Sequence, residues 1–140
     1  MIEYRESPAA LEHLTEDDLR GGFWEGWPAP PAPATHLAHL RGADVVVLAV
    51  DTSRDDAVVG FVSAVGDGVL TAFVPLLEVL PAYRGQGIGS ELMRRVLARL
   101  GDRYSVDLVC DPALVPYYER LGGTRLDGIG WRNRLVLEQT

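Results

Sequence analysis

The chain has no lysine. All thirteen basic residues are arginine, set against twenty acids for a formal net charge of -7. A Walker-type phosphate loop, which requires Gly-Lys-Ser/Thr, is therefore excluded. The excess of acid argues against a general nucleic-acid binder. There is a single cysteine, Cys110, so no internal disulfide can form, which suits a reducing cytoplasm. Cys110 closes an apolar run and is expected to be a buried small hydrophobe. No apolar run reaches the length that spans a bilayer. The opening "MIEYRESPAALEHL" lacks the basic-then-apolar order of a secretory signal. The expected setting is cytoplasmic, with neither membrane nor nucleic acid as partner.

What the chain does have is distributed unevenly. Residues 1–83 hold thirteen acids against four arginines, and residues 84–140 hold nine arginines against seven acids. The border falls at "PAYRGQGIGSEL" (81–92), where three glycines occupy five positions directly before a helical pattern. In "GIGSELMRRVLARLG", Ile88, Leu92, Val96 and Leu100 share one face. A helix start leaves amides unpaired and carries partial positive charge, and glycine lets an anion approach them. "RGQGIGS" thus reads either as an anion cradle or as a plain glycine turn with a helix cap. It is not the dinucleotide fingerprint, because Ser90 stands where the third glycine belongs.

Elsewhere, "IEYRES", "DVVVLAVD", "AVVGFVSAVGDG", "VLTAFVPLLEVLP", "YSVDLVCD" and "WRNRLVLEQT" are expected as strands. "PAALEHLTEDDLRGGFW", "ATHLAHLRG" and "PALVPYYERLGG" are expected as helices, with Ser7 or Thr15 as a possible cap for the first. The proline-rich "GWPAPPAPATH" is a stiff loop. Pro75 inside an apolar strand predicts a bulge or broken pairing. The sum is one mixed α/β domain over residues 1–140.

The run "LEVLPAYRGQGIGSELMRRVLARL" together with "VDLVCDPALVPYYERLGG" resembles two motifs of the GCN5-related N-acetyltransferases (GNAT family). Arg84, Gly87 and Gly89 stand in the Arg-x-x-Gly-x-Gly pattern, and "YYERLGG" matches the family's second, tyrosine-bearing helix. The resemblance implies a central, mostly antiparallel twisted sheet flanked by helices, with the fourth and fifth strands splayed apart. It implies an acetyl-CoA-dependent enzyme without a metal, transferring acetyl to a primary amine. The amides of Arg84, Gly85, Gln86, Gly87, Ile88, Gly89 and Ser90 would hold the pyrophosphate. The backbone of Leu77, Val79 and Leu80 would hold the pantetheine arm. Asp111 and Tyr117 fall along the same cofactor path, Tyr117 at a position that is usually aromatic packing. Asp111, Leu114 and Gly123 stand where the family commonly has Asn, Ala and Phe.

The chemistry needs a neutral amine, a stabilised oxyanion and an acid for the thiolate. Tyr118 falls on the family's acid tyrosine. Glu78 interrupts an apolar strand and is read either as the base that takes the amine's proton or as one half of a salt bridge. His36 and His39, three apart, are expected on a solvated helix face and are a weak metal signal alone. Phe23, Trp24 and Trp27 either wall an acceptor pocket or pack the proline loop to the core. The acidic first half favours a cationic acceptor, whether a small molecule or a protein amine. Two other readings stand beside the enzyme: a catalytically silent acetyl-CoA-binding module, and a phosphate-binding domain outside the family. A homodimer through edge strands is also open.

Overall fold

The computed structural model describes residues 1–133 and 135–138. Five strands form one sheet in chain order: β1 (Ile2–Glu6), β2 (Val45–Asp51), β3 (Ala57–Gly66), β4 (Thr71–Val79) and β5 (Ser105–Asp107). The first three pairings are antiparallel and β4–β5 is parallel. β2 is buried on both faces, as its unbroken β-branched run "VVVLAV" requires. Ser7 prolongs the β1–β2 ladder instead of capping a helix. Its amide donates to the Val46 carbonyl and its Oγ accepts from the Val46 amide, each at 2.9 Å.

One face of the sheet is covered by the helix α2 (Ile88–Arg99). Ile88, Leu92, Met93 and Val96 pack on Val47, Val59, Val62 and Val74. Leu92 has no exposed surface, so Leu92→Ala is expected to cost about 2–5 kcal/mol of stability. The other face is covered by the helix α1 (Pro33–Gly42), which opens on a proline at its first position, and by the segment before it.

That segment is not the helix expected over 8–24. It forms two 3-10 turns, Ala9–Leu11 and Glu16–Leu19. The buried anchors Leu14 and Leu19 are five residues apart, which at 100° per residue puts them well off a common helical face. Thr15 opens the second turn, its amide donating to the Asp18 carboxylate at 2.8 Å, and Gly21 and Gly22 follow it.

Beyond α2 the regularity thins. β5 is three residues long and only half-buried, not the longer buried strand expected. Cys110 is exposed, which corrects its reading as a core residue. A 3-10 turn at Pro112–Leu114 leads into α3 (Val115–Arg120), and Gly122 (φ +98°) ends that helix as expected. The expected last strand is absent from the described residues. Residues 131–133 are irregular and Leu135–Glu138 form a helical turn, α4; Arg134, Gln139 and Thr140 lie outside the described residues.

Candidate active site

The organising feature is the place where β4 and β5 part. Their parallel pairing runs from Thr71↔Ser105 to Phe73↔Asp107. On its other side β4 pairs with β3, and that register jumps between Val65↔Phe73 and Ser63↔Leu76, so Val74 and Pro75 together face Ala64. This is a β-bulge at the proline, as the sequence anticipated. Past it, β4 keeps β3 as a neighbour, and among the described residues no strand pairs with its other edge. A cleft of about 1000 Å³ occupies the gap, walled by Val74 and Leu76 of β4, Met93 and Leu97 of α2, Leu108 and Tyr118.

Antiparallel pairing decides which backbone groups face the gap. Leu80 donates its amide to the Val59 carbonyl at 2.8 Å, so by alternation Glu78 also pairs inward, while the amides of Leu77 and Val79 point to the open edge. Leu80 is thereby corrected: its carbonyl also accepts from the Tyr83 amide at 2.9 Å, and no backbone group of Leu80 is free for an arm. The Val79 carbonyl accepts from Arg84 Nε at 3.1 Å.

The glycine loop joins β4 to α2. Gly85 (φ +77°) and Gly87 (φ +81°) adopt left-handed conformations, and a Cβ at either would meet nothing within 4 Å. Glycine is required there for the backbone path. The first bond of α2 runs from the Glu91 amide to the Gly87 carbonyl, so the amides of Ile88, Gly89 and Ser90 precede the helical ladder and remain available. Gly89 serves a different purpose. A Cβ there would come within 3.1 Å of the Tyr117 hydroxyl, which shares a hydrogen bond with Ser90 Oγ at 3.2 Å. Tyr117 therefore packs α3 against the start of α2. Arg84 does not project toward the loop amides. Besides Val79 it binds the Glu25 carboxylate, tying the loop to the segment of Trp24 and Trp27. Gln86 and Asp111 are exposed.

Tyr118 lines the cleft and stacks edge-on against Tyr117 with ring centroids 5.0 Å apart. Burial pushes its hydroxyl pKa up to about 12, with smaller contributions from Tyr117 and Cys110. It is thus a protonated donor throughout the neutral range.

Glu78 lies on the α1 face of β4, opposite Phe61 and away from Leu77 and Val79. Its partner is a backbone amide, not an arginine: Oε1 accepts from the Trp24 N–H at 2.9 Å. Trp24 has φ +73°, a costly conformation for a bulky residue, and its amide is bonded to Glu78 while its ring packs on Trp27, His36 and Phe61. Oε2 is buried without a hydrogen-bond partner among the described residues. Burial raises the Glu78 pKa, opposed by the Trp24 amide and by Arg84.

The two histidines share a face, but it is the buried one, against expectation. His36 is 1% exposed and is ringed by Phe23, Trp24 and Phe61, with centroid separations of 4.5–5.5 Å. Burial, with a lesser effect from His39, lowers its pKa to about 4. His39 bonds Ser63 Oγ through Nε2 at 2.8 Å and lines the cleft beside Trp27, Pro75 and Leu76. Phe23 and Trp24 are core residues, whereas Trp27 is 41% exposed at the cleft. Ser63 went unnoticed in the sequence. Its signal was the one that flagged Glu78: a polar side chain inside an apolar strand, here "GFVSAV", needs a partner. No group of three or more metal-ligating side chains occurs among the described residues.

The acetyltransferase (GNAT) family model matches residues 9–123. The chain belongs to that family. A Deinococcus radiodurans R1 protein assigned as an acetyltransferase superposes with a TM-score of 0.86 at 50% identity, over 94% of this chain and 87% of that one. The aminoglycoside N-acetyltransferase AAC(6')-Iy in complex with CoA shares the fold, with a TM-score of 0.65 at 20% identity over 96% of this chain and 95% of that one. A ycf52-like N-acetyltransferase of Prochlorococcus marinus, named as uncharacterized, is 37% identical over 68 residues, 47% of this chain. The match spans 38% of that relative's length.

Proposed function

We propose that the chain binds acetyl-CoA between β4 and β5 and transfers the acetyl group to a primary amine. One observation carries the reading: the open edge of β4 at Leu77 and Val79 runs directly into a loop of left-handed glycines and the unpaired first turn of α2. An extended amide-bearing arm ending in a pyrophosphate fits that sequence of donors, with the edge pairing the arm and the helix start receiving the phosphates. The binding set is Leu77, Val79 and the amides of residues 85–90, without Leu80. Arg84 shapes the loop through Val79 and Glu25.

The chain's own groups then divide the work. An amide at the open edge, from Leu77 or Val79, donates to the thioester oxygen as it becomes an oxyanion. Tyr118 hydrogen-bonds the sulfur from the opposite wall. With its pKa near 12, it is a poor free acid toward a thiolate whose ordinary pKa is about 8.5. It therefore acts as a relay, giving its proton to sulfur as it regains one from the attacking nitrogen. The acidic first half favours a cationic acceptor.

Calorimetry with acetyl-CoA, followed by an amine panel read by free-thiol release, tests the reading. Binding with turnover supports it. Binding without turnover on any amine favours the silent binding module. No binding removes both.

A further inference from the structure

Resting on the acetyl-transfer reading, we propose that His39, positioned by Ser63, is the group that takes the proton from the acceptor's ammonium. The placement follows from register. Ser63 of β3 is fully buried and pairs with Leu76 of β4, one residue before the open-edge amide of Leu77. Its Oγ lies 2.8 Å from His39 Nε2. The imidazole therefore stands at the level where β4 opens, on the α1 side, and lines the same cleft as Tyr118. In the tautomer that donates Nε2–H to Ser63 Oγ, the lone pair of Nδ1 is the proton acceptor; Nδ1 has neither a hydrogen-bond partner nor a buried position among the described residues.

The two other candidates on this face are closed. Glu78 spends Oε1 on the Trp24 amide, and its Oε2 has no surface. Both nitrogens of His36 are sealed among aromatic rings. The titratable and charged groups that share the cleft with His39 are Asp107, Cys110, Tyr118, Glu119, Arg125 and Arg132; His36 acts on it from its own helix, and Glu78, on the α1 face of β4, does not line the cleft. Burial is what moves the His39 pKa, and it moves it down from 6.5. The ring is neutral at pH 7 and able to accept a proton.

The step balances. Nδ1 of His39 takes one proton from R–NH3⁺ and later releases it to solvent through the cleft. The freed lone pair attacks the thioester carbon, the C–N bond forms and the C–S bond breaks. The second nitrogen proton travels through the Tyr118 hydroxyl to sulfur, leaving an amide and a thiol.

The test uses whichever of tryptamine, spermidine and a lysine-bearing peptide the wild type acetylates fastest. His39→Gln is expected to lower kcat roughly 100-fold at pH 7. It should remove the acid limb of the pH–rate profile and recover rate at high pH, where the amine arrives neutral, with acetyl-CoA affinity unchanged. Ser63→Ala leaves the base but frees its ring. It should lower kcat less and shift the acid limb, and it serves if His39→Gln does not fold. A normal kcat and an unshifted limb in the folded variants would remove His39 while leaving acetyl transfer standing. A wild type inactive on all three amines would overturn both.

Discussion

The two faces of the sheet are built differently, and they offer different groups to the cleft and the loop beside it. Against one lies α2, a regular amphipathic helix whose apolar residues recur every three or four positions. Against the other lie two 3-10 turns, a proline-rich loop and the ten-residue α1, holding a cluster of Phe23, Trp24, His36 and Phe61. The regular face offers backbone: a helix start, left-handed glycines and, at the sheet's open edge, two strand amides. The irregular face offers side chains, namely His39 on Ser63, Glu78 on Trp24, and Trp27 at the cleft rim. A cofactor common to many enzymes is suited to backbone donors, which constrain sequence through glycine and register. An acceptor that differs between enzymes is suited to side chains on irregular segments, which vary freely.

The comparison breaks most sharply at Gly87. Gly87→Glu places a carboxylate at the helix start and forces φ +81° on a residue with a Cβ. Acetyl-CoA affinity is expected to fall at least about 100-fold, roughly 3 kcal/mol, with only a small loss of melting temperature. Unchanged affinity measured by calorimetry would separate the glycine loop from the cofactor. Gly89→Glu is a poorer probe, because its side chain would collide with Tyr117 and unsettle packing before binding.

Tyr118→Phe tests the wall between the faces. Turnover should drop about 100-fold while acetyl-CoA affinity holds. Parallel loss of rate and thermal stability would instead mark Tyr118 as packing.

On the irregular face, His36 is neutral in the fold and protonates near pH 6.5 when unfolded, so the unfolded state binds more protons as pH falls. Stability contributed by the buried neutral ring is present above pH 6.5 and is lost progressively down to about pH 4. The span corresponds to roughly 3 kcal/mol. Denaturant melts across that window should show the slope in wild type and a flatter one in His36→Leu. Equal slopes would mean that other groups set the acid limit.

The smallest effect is expected at Glu78. Its pKa is raised by burial, so the folded state holds the proton more tightly and stability falls as pH rises from about 4.5 through the raised value. Glu78→Gln keeps an oxygen for the Trp24 amide and removes the buried charge. Its melting temperature at pH 7 should match or slightly exceed wild type, the difference vanishing near pH 4. Its pH–rate profile should be unshifted. A lost acid limb here, with His39→Gln normal, would return the base to Glu78.

Legibility followed the same division. The glycine loop and the helix it opens were readable because their spacing is local: glycines, a helix start and an amphipathic period within twenty residues. Pro75 announced the bulge because a missing N–H is a local fact. The histidines were misread although Leu37 and Leu40 lie beside them in the helical period and are themselves buried; that pattern marks His36 as facing inward. Leu80 was misplaced because alternation alone does not say which neighbour a strand's amide serves until the register is known.

The sequence by itself determined the left-handed glycine loop, the face of α2, the bulge at Pro75 and the family. Each rests on contacts between residues close in the chain, where backbone sterics and helical period suffice. Only the tertiary structure decided that Glu78 meets Trp24 across 54 positions and that His39 meets Ser63 across 24. Those partnerships depend on how the aromatic segment folds back over the sheet. No local period encodes that path, since burying Phe23, Trp24, His36 and Phe61 together is a long-range packing solution, and it alone leaves His39 at the cleft and closes Glu78 away from it.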